Sequence, residues 1–197
     1  MTERLDSPLR REQIAEAALA IVVSQGIGAV TVRRVADAVG ISAAALYRHY
    51  KNKAAILKAI IEEHQEFFMA NIRQAKAEAS SPLDAIRRLY FSSMALVNRY
   101  CALPVVFLSD VLWFEETQLR DLKLKHHKLL REIIIDLIHA AQKSGEIRTD
   151  VRPEEIFVNF IGLIAMPAMI QARTPEDLDM PRQTTANWEL FAHAVAA

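Results

Sequence analysis

Apolar residues recur along this chain at three- and four-residue spacings, and no long run alternates apolar and polar at every second position. Ile14, Ala17, Ala18 and Ile21 fall at i, i+3, i+4 and i+7, the spacing of one helical face. Ser7-Pro8 supplies an N-cap and then a proline at the first helical position, where the missing N–H costs nothing, and Gly26 ends the run. Thr31 stands where it caps a short second helix with Val32, Val35, Ala36 and Val39 inward, and Gly40 closes it. Ser42 caps a third helix, from Ala43 to about Tyr50. Beyond Lys51-Asn52-Lys53 a long helix carries Leu57, Ile60, Ile61, His64 and Phe68 on one stripe, to about Ala79, where Ser80-Ser81-Pro82 stops it. Further helices are predicted at about 82–99, 104–113, 117–143, 153–172 and 182–195, with Gly145, Pro153, Thr174-Pro175 and Pro181 as breaks. There is no Asn-Gly or Asp-Gly hairpin signal and no internal repeat, so the expected fold is all-α.

The second and third helices meet across a turn of about three residues that contains glycine, the spacing of a helix-turn-helix. Val35, Ala36, Val39, Ile41, Leu46 and Tyr50 suit a miniature core with the first helix. Ala43, Ala44 and Tyr47 share the opposite face of the third, small at its N-terminal end, so that the backbone can approach a groove closely. Arg33, Arg34, Tyr47, Arg48, His49 and Lys53 surround that face with donors suited to phosphates. Any one of these residues fits a solvated helix surface; the arrangement as a whole points to double-stranded DNA. Charge adds to this. Lysine plus arginine and aspartate plus glutamate number 24 each, yet residues 1–58 hold nine basic and five acidic side chains, a net of +4. A basic module on an acidic body favours a polyanion as partner.

Composition narrows the rest. A chain of 197 residues that is 52% hydrophobic buries a core of one or two domains, read here as a three-helix DNA-binding domain over 1–53 and a helical ligand-binding and dimerisation domain over 54–197. Cys101 is the sole cysteine, which suits a reducing compartment and excludes an internal disulfide framework. No run approaching the roughly 18 apolar residues of a membrane span is expected, and the first residues lack a signal-peptide core, so the protein is placed in the cytoplasm with no membrane partner. No nucleotide-binding, hydrolase or zinc-protease motif is present. His126 and His127 are adjacent and point about 100° apart on a helix, a poor chelating pair. No enzyme, metal or cofactor is expected.

The run from Thr31 through Val-Arg-Arg-Val-Ala-Asp-Ala-Val-Gly-Ile to Ser42, followed by Leu46-Tyr47-Arg48-His49-Tyr50 and Lys53, strongly resembles the N-terminal domain of TetR-type transcriptional regulators. The close match covers about residues 10–60; beyond it the likeness is one of helical layout and of the segment Gly145–Pro153. The resemblance implies a homodimer that sets two recognition helices in successive major grooves of a palindrome. It implies phosphate contacts from Tyr47, His49 and Lys53, a backbone anchor at Thr31, a phosphate or backbone contact from Ser42, and Arg33 reaching a base edge. One departure stands out. Ala43 and Ala44 occupy positions where many members carry polar, base-reading residues, and alanine offers only contact with a thymine methyl. Sequence readout then falls on Arg33, Arg34, Arg48 or DNA shape.

Residues 154–170 are apolar nearly all round, so a helix there is buried on more than one side. The expectation is a four-helix dimer contact from this helix and the last one, with Phe160, Gly162, Trp188 and Phe191 in it; the same pattern also fits a core within one subunit. Bulky, adaptable side chains in the C-terminal body suit a cavity for an apolar small-molecule effector, with Phe91, Met94, Trp113, Met166 and Met169 as lining and His64, Asn98 and Asn159 as polar markers. They suit an ordinary core equally well. Pro167 inside a helix frees a carbonyl and is placed to kink it. The leading reading is a ligand-responsive repressor; the alternative is an architectural or partner-recruiting DNA-binding protein of the same fold.

Overall fold

The computed structural model describes residues 8–100, 106 and 117–197. Among these the regular structure is helical, with one isolated bridge between Ile147 and Ala196. In chain order the helices are α1 (Pro8–Gln25), α2 (Val32–Val39), α3 (Ala43–Tyr47), α4 (Lys53–Glu78), α5 (Pro82–Arg99), α6 (Thr117–Lys143), α7 (Pro153–Arg173) and α8 (Met180–Val195), with short 3-10 turns at Ile27–Ala29 and Pro175–Asp177. Apart from Val106, the helix expected at 104–113 lies outside the described residues, as do Cys101 and Trp113. Contacts divide the chain into two compact units, one from residues 1–64 and 102–123, the other from 65–101 and 124–197, so α4 and α6 contribute to both.

In the first unit α2 packs against both α1 and α3. Its core holds Val22, Val35, Ala36, Leu46, Leu57 and Ile61, all fully buried. Leu46 is the buried residue of α3, so that helix docks through one side chain, whose burial contributes about 1.5–3 kcal/mol. The helix is shorter than the sequence pattern predicts. After Tyr47 the backbone tightens, and the His49 amide donates to the Leu46 carbonyl three residues back, at 3.0 Å. Asn52 then starts α4, its Oδ1 accepting the Ala55 amide at 2.9 Å.

In the second unit α5, α7 and α8 pack against one another. Tyr90, Phe160, Phe191 and Trp188 meet there, with ring centres 6.4 Å apart for Tyr90–Phe160, 6.0 Å for Phe160–Phe191 and 5.7 Å for Trp188–Phe191. The Tyr90 hydroxyl donates to the Thr184 carbonyl at 3.0 Å, and burial pushes its pKa up to about 12. Gly145 adopts φ +78°, turning the chain after α6 so that the Glu146 carboxylate reaches the start of α5. There it accepts from the Ser81 hydroxyl, from Ser144 Oγ at 2.8 Å and from the Leu83 amide at 3.4 Å. The same loop pairs with the end of α8, Arg148 N–H donating to the Val195 carbonyl at 2.9 Å.

Two more expectations are corrected. Pro181 does not break the chain ahead of the last helix. It sits in the first turn of α8, where no N–H is needed, and Asp179 caps that turn by accepting the Arg182 amide at 3.1 Å. Contrary to the expectation that no run is long enough to span a membrane, α7 is so by length and composition, with mean hydropathy 1.6 over an 18-residue window. Its charges are gathered at the ends, Glu154 and Glu155 in the first turn and Arg173 in the last, which leaves the middle apolar. A third of that stretch is buried within the chain, and the core helix of a packed protein has the same length and composition.

Candidate nucleic-acid interface

The site is assembled by short-range caps. Thr31 Oγ1 accepts the Arg34 amide at 3.1 Å and starts α2. Gly40 ends it in the left-handed region at φ +75°, where a side chain would be strained, and the Ile41 amide closes onto the Ala36 carbonyl at 3.0 Å. Ser42 Oγ accepts the Ala45 amide at 3.2 Å and starts α3 two residues beyond that turn. Three local devices thus fix the angle between two short helices.

What faces outward follows. Ala44 and Ser42 are exposed and Ala43 is half-buried, so the first turn of α3 presents little beyond backbone and methyl groups. Tyr47 is 50% exposed, Arg48 and His49 are exposed, and Lys53 is half-buried at the start of α4. On α2 both arginines are exposed, but they are not equivalent. The Arg34 guanidinium donates to Gln25 Oε1 at 3.0 Å and to the Ala29 carbonyl at 3.3 Å, tying α2 to the end of α1 and the turn after it. Among the described residues the side chains of Arg33, Tyr47, Arg48 and Lys53 make no hydrogen bond or ion pair with the protein. Four uncommitted donors therefore surround a smooth helix face, a combination suited to phosphates and groove edges. Sequence reasoning missed Gln25, whose contact spans nine residues, and Asn52, whose place before a helical run was readable as a cap.

The residues expected to line an effector cavity are not brought together in the same way. Met94 is buried in the core of the second unit, Phe91 lies 6.3 Å from Trp188, and Met169 is half-buried. Asn98 is exposed, Met166 is 63% exposed, and the Asn159 amide turns back to the Glu155 carbonyl of its own helix at 2.9 Å. His64 is half-buried in the first unit, and Trp113 lies outside the described residues. A groove of about 330 Å³ between α4 and α5 is lined by polar residues such as Gln74, Glu78, Arg87 and Arg88, and Phe91 is the expected lining residue it includes. Among the described residues no three histidine, cysteine or acidic side chains gather as metal ligands would.

Of the residues expected at a dimer contact, Phe160 and Phe191 are 2% and 5% exposed and belong to one subunit's own core, with Trp188 half-buried beside them. Gly162 is exposed, and a Cβ placed on it would meet nothing within 4 Å. It lies between Val158, 67% exposed, and Met166 at four-residue spacings, and Leu190 of α8 is 70% exposed.

Residues 14–60 match the family model described as bacterial regulatory proteins, tetR family. The chain is 22% identical over 148 residues to the HTH-type transcriptional repressor KstR2 of Mycobacterium tuberculosis (strain ATCC 25618 / H37Rv), covering 75% of this chain and 74% of that protein. The structure of that organism's ketosteroid transcriptional regulator KstR2 superposes with a TM-score of 0.83 at 18% identity, over 98% of this chain and 97% of the other. The nucleoid occlusion factor SlmA of Vibrio vulnificus (strain YJ016) is 34% identical over 113 residues, 57% of this chain and 58% of its own. AibR, solved in complex with isovaleryl coenzyme A and operator DNA, superposes with a TM-score of 0.71 at 20% identity, over 92% and 97% of the two chains. Residues 14–60 thus hold a capped helix-turn-helix that matches the tetR family, and the chain has the fold of such regulators along nearly its whole length, which together support a DNA-binding regulator of TetR type.

Proposed function

We propose that this regulator is a ligand-responsive repressor, without catalytic activity, that works in the cytoplasm as a homodimer on a palindromic operator. The exposed face of α3 carries this reading: small residues at its start, with Arg33, Tyr47, Arg48 and Lys53 uncommitted around it. Tyr47, His49 and Lys53 serve as phosphate anchors, Arg33 and Arg48 as the long donors nearest the base edges, and Ala43 and Ala44 as the close-approach surface. The stripe of Val158, Gly162 and Met166, with Leu190, supports self-association through α7 and α8, because exposed apolar side chains in a row mark an interaction face. An apolar effector is supported by KstR2, a ketosteroid regulator, and a small-molecule effector more generally by AibR, solved with isovaleryl coenzyme A. The effector then acts by binding one spacing of the two DNA-reading heads better than another, and its influence is bounded by that difference in affinity.

The similarity to a nucleoid occlusion factor favours a second reading, an architectural DNA-binding protein that recruits another protein and takes no small ligand. Selection from a random duplex library tests the first reading. It expects an inverted repeat whose half-sites lie about one helical turn, 34–36 Å, apart or a multiple of that. Enrichment of single half-sites only, or of no sequence, overturns it. Thermal unfolding against apolar and acyl compounds separates the two readings. A ligand at a hundred times its Kd adds about 2.7 kcal/mol of stability, and stabilisation by DNA alone favours the second.

A further inference from the structure

Pro167 lies in the middle of α7, and α7 runs unbroken past it from Pro153 to Arg173. A proline there has no N–H to give, so the Leu163 carbonyl four residues back loses its helical partner. The neighbouring helix supplies one. Asn187 of α8 donates its Nδ2 to the Leu163 carbonyl at 3.3 Å, across 24 residues of sequence. The amide is itself oriented, because its Oδ1 accepts Gln183 Nε2 at 2.6 Å from one turn earlier on α8. Tyr90 of α5 holds the same stretch of α8 through the Thr184 carbonyl, and Trp188 beside Asn187 packs on Tyr90 at 5.7 Å. Both ends of this cross-helix bond adjoin exposed apolar residues. Leu163 directly follows Gly162 and Pro167 directly follows Met166, and Asn187 is one turn from Leu190.

We infer that Asn187 is a positioning residue for self-association: it stands in for the amide that Pro167 lacks and keeps the exposed stripe of α7 continuous and in register with α8. This rests on the dimer reading given above. Without the Asn187 amide, the Leu163 carbonyl is left unpaired in a half-buried place, and the helix opens at Pro167, where prolines commonly kink helices. The Val158–Gly162 half of the stripe then no longer lines up with Met166 and Leu190.

The test is a double-mutant cycle on the full chain, read by sedimentation for dimer affinity and by denaturant unfolding for stability. Asn187→Leu keeps the branching at Cγ but removes the donor and is expected to weaken dimerisation about tenfold. Pro167→Ala restores a backbone N–H to Leu163 and is expected to dimerise like wild type. In the Pro167→Ala background, Asn187→Leu is expected to cost less than threefold, because the carbonyl already has its partner. A merely space-filling role for Asn187 predicts equal losses in both backgrounds, and that result overturns the inference. So does a wild-type dimer whose affinity Asn187→Leu leaves unchanged. If Asn187→Leu alone fails to fold, Pro167→Ala with and without Asn187→Leu decides it, equal dimer affinity supporting the inference and a tenfold loss overturning it. A wild-type chain that stays monomeric at all concentrations refutes the dimer reading and this inference with it.

Discussion

Two adjacent arginines on α2 are expected to fail in different ways when each is replaced by alanine. Arg34 makes two charge-assisted hydrogen bonds, to Gln25 Oε1 at 3.0 Å and to the Ala29 carbonyl at 3.3 Å, and these join α1 to α2. Bonds of this kind contribute about 1.5–3 kcal/mol when shielded from water, but Arg34 is exposed, so about 1 kcal/mol is expected for the pair. In a chain of this size that lowers Tm by about 2–4 °C. Arg33 has no partner among the described residues, so Arg33→Ala is expected to change stability by less than about 0.5 kcal/mol. On DNA the order reverses. Arg33→Ala removes a long donor beside a recognition helix that begins with two alanines, and the loss of a base contact costs about 1–3 kcal/mol and relaxes selectivity at that position. Arg34→Ala weakens all sequences evenly, through the mispositioned helix. Thermal unfolding and a quantitative duplex panel with single base changes read both effects. If Arg34→Ala relaxes one base position while Arg33→Ala leaves the panel unchanged, the assignment of roles is refuted.

Lys53→Ala is expected to reduce the slope of log affinity against log salt by about one unit, and an unchanged slope at full affinity removes Lys53 from the phosphate contacts. Gly162→Asp is expected to fold normally, since a side chain there meets nothing within the subunit, yet to sediment as a monomer because a carboxylate is stranded in an apolar contact. A normal dimer places the interface elsewhere. Asp84 accepts the Ser80 amide and the Arg88 and Arg87 guanidiniums, and these hold its carboxyl well below the usual carboxylate range. Its contribution is therefore present above the unfolded value of about 3.9 and is lost as pH falls below it. Asp84→Asn is expected to lower stability at neutral pH and flatten the decline on acidification, and an unaltered acid limb in urea unfolding counts against this.

The reading head was legible because everything that shapes it is local. Thr31, Gly40 and Ser42 act on backbone groups three to five residues away, so their spacing in the sequence already specifies where two helices start, stop and turn. Asn52 belongs to the same class. The arginine pair on α2 was not separable in this way. Both are exposed cations in one helical turn, and only the arrival of Gln25 and the Ala29 carbonyl from an earlier segment commits Arg34.

The C-terminal body shows the other limit. By composition α7 is apolar on nearly every side, so periodicity cannot say which side meets its own subunit. Packing against α5 and α8 decides that Phe160 and Phe191 turn inward while Val158, Met166 and Leu190 stay exposed. The sequence likewise determines that Pro167 leaves a carbonyl without its helical donor, since that follows from proline's covalent structure alone. Which group answers it depends on what the fold brings alongside, and Asn187, 24 residues away in the chain, is a neighbour of Leu163 only because α8 folds back along α7.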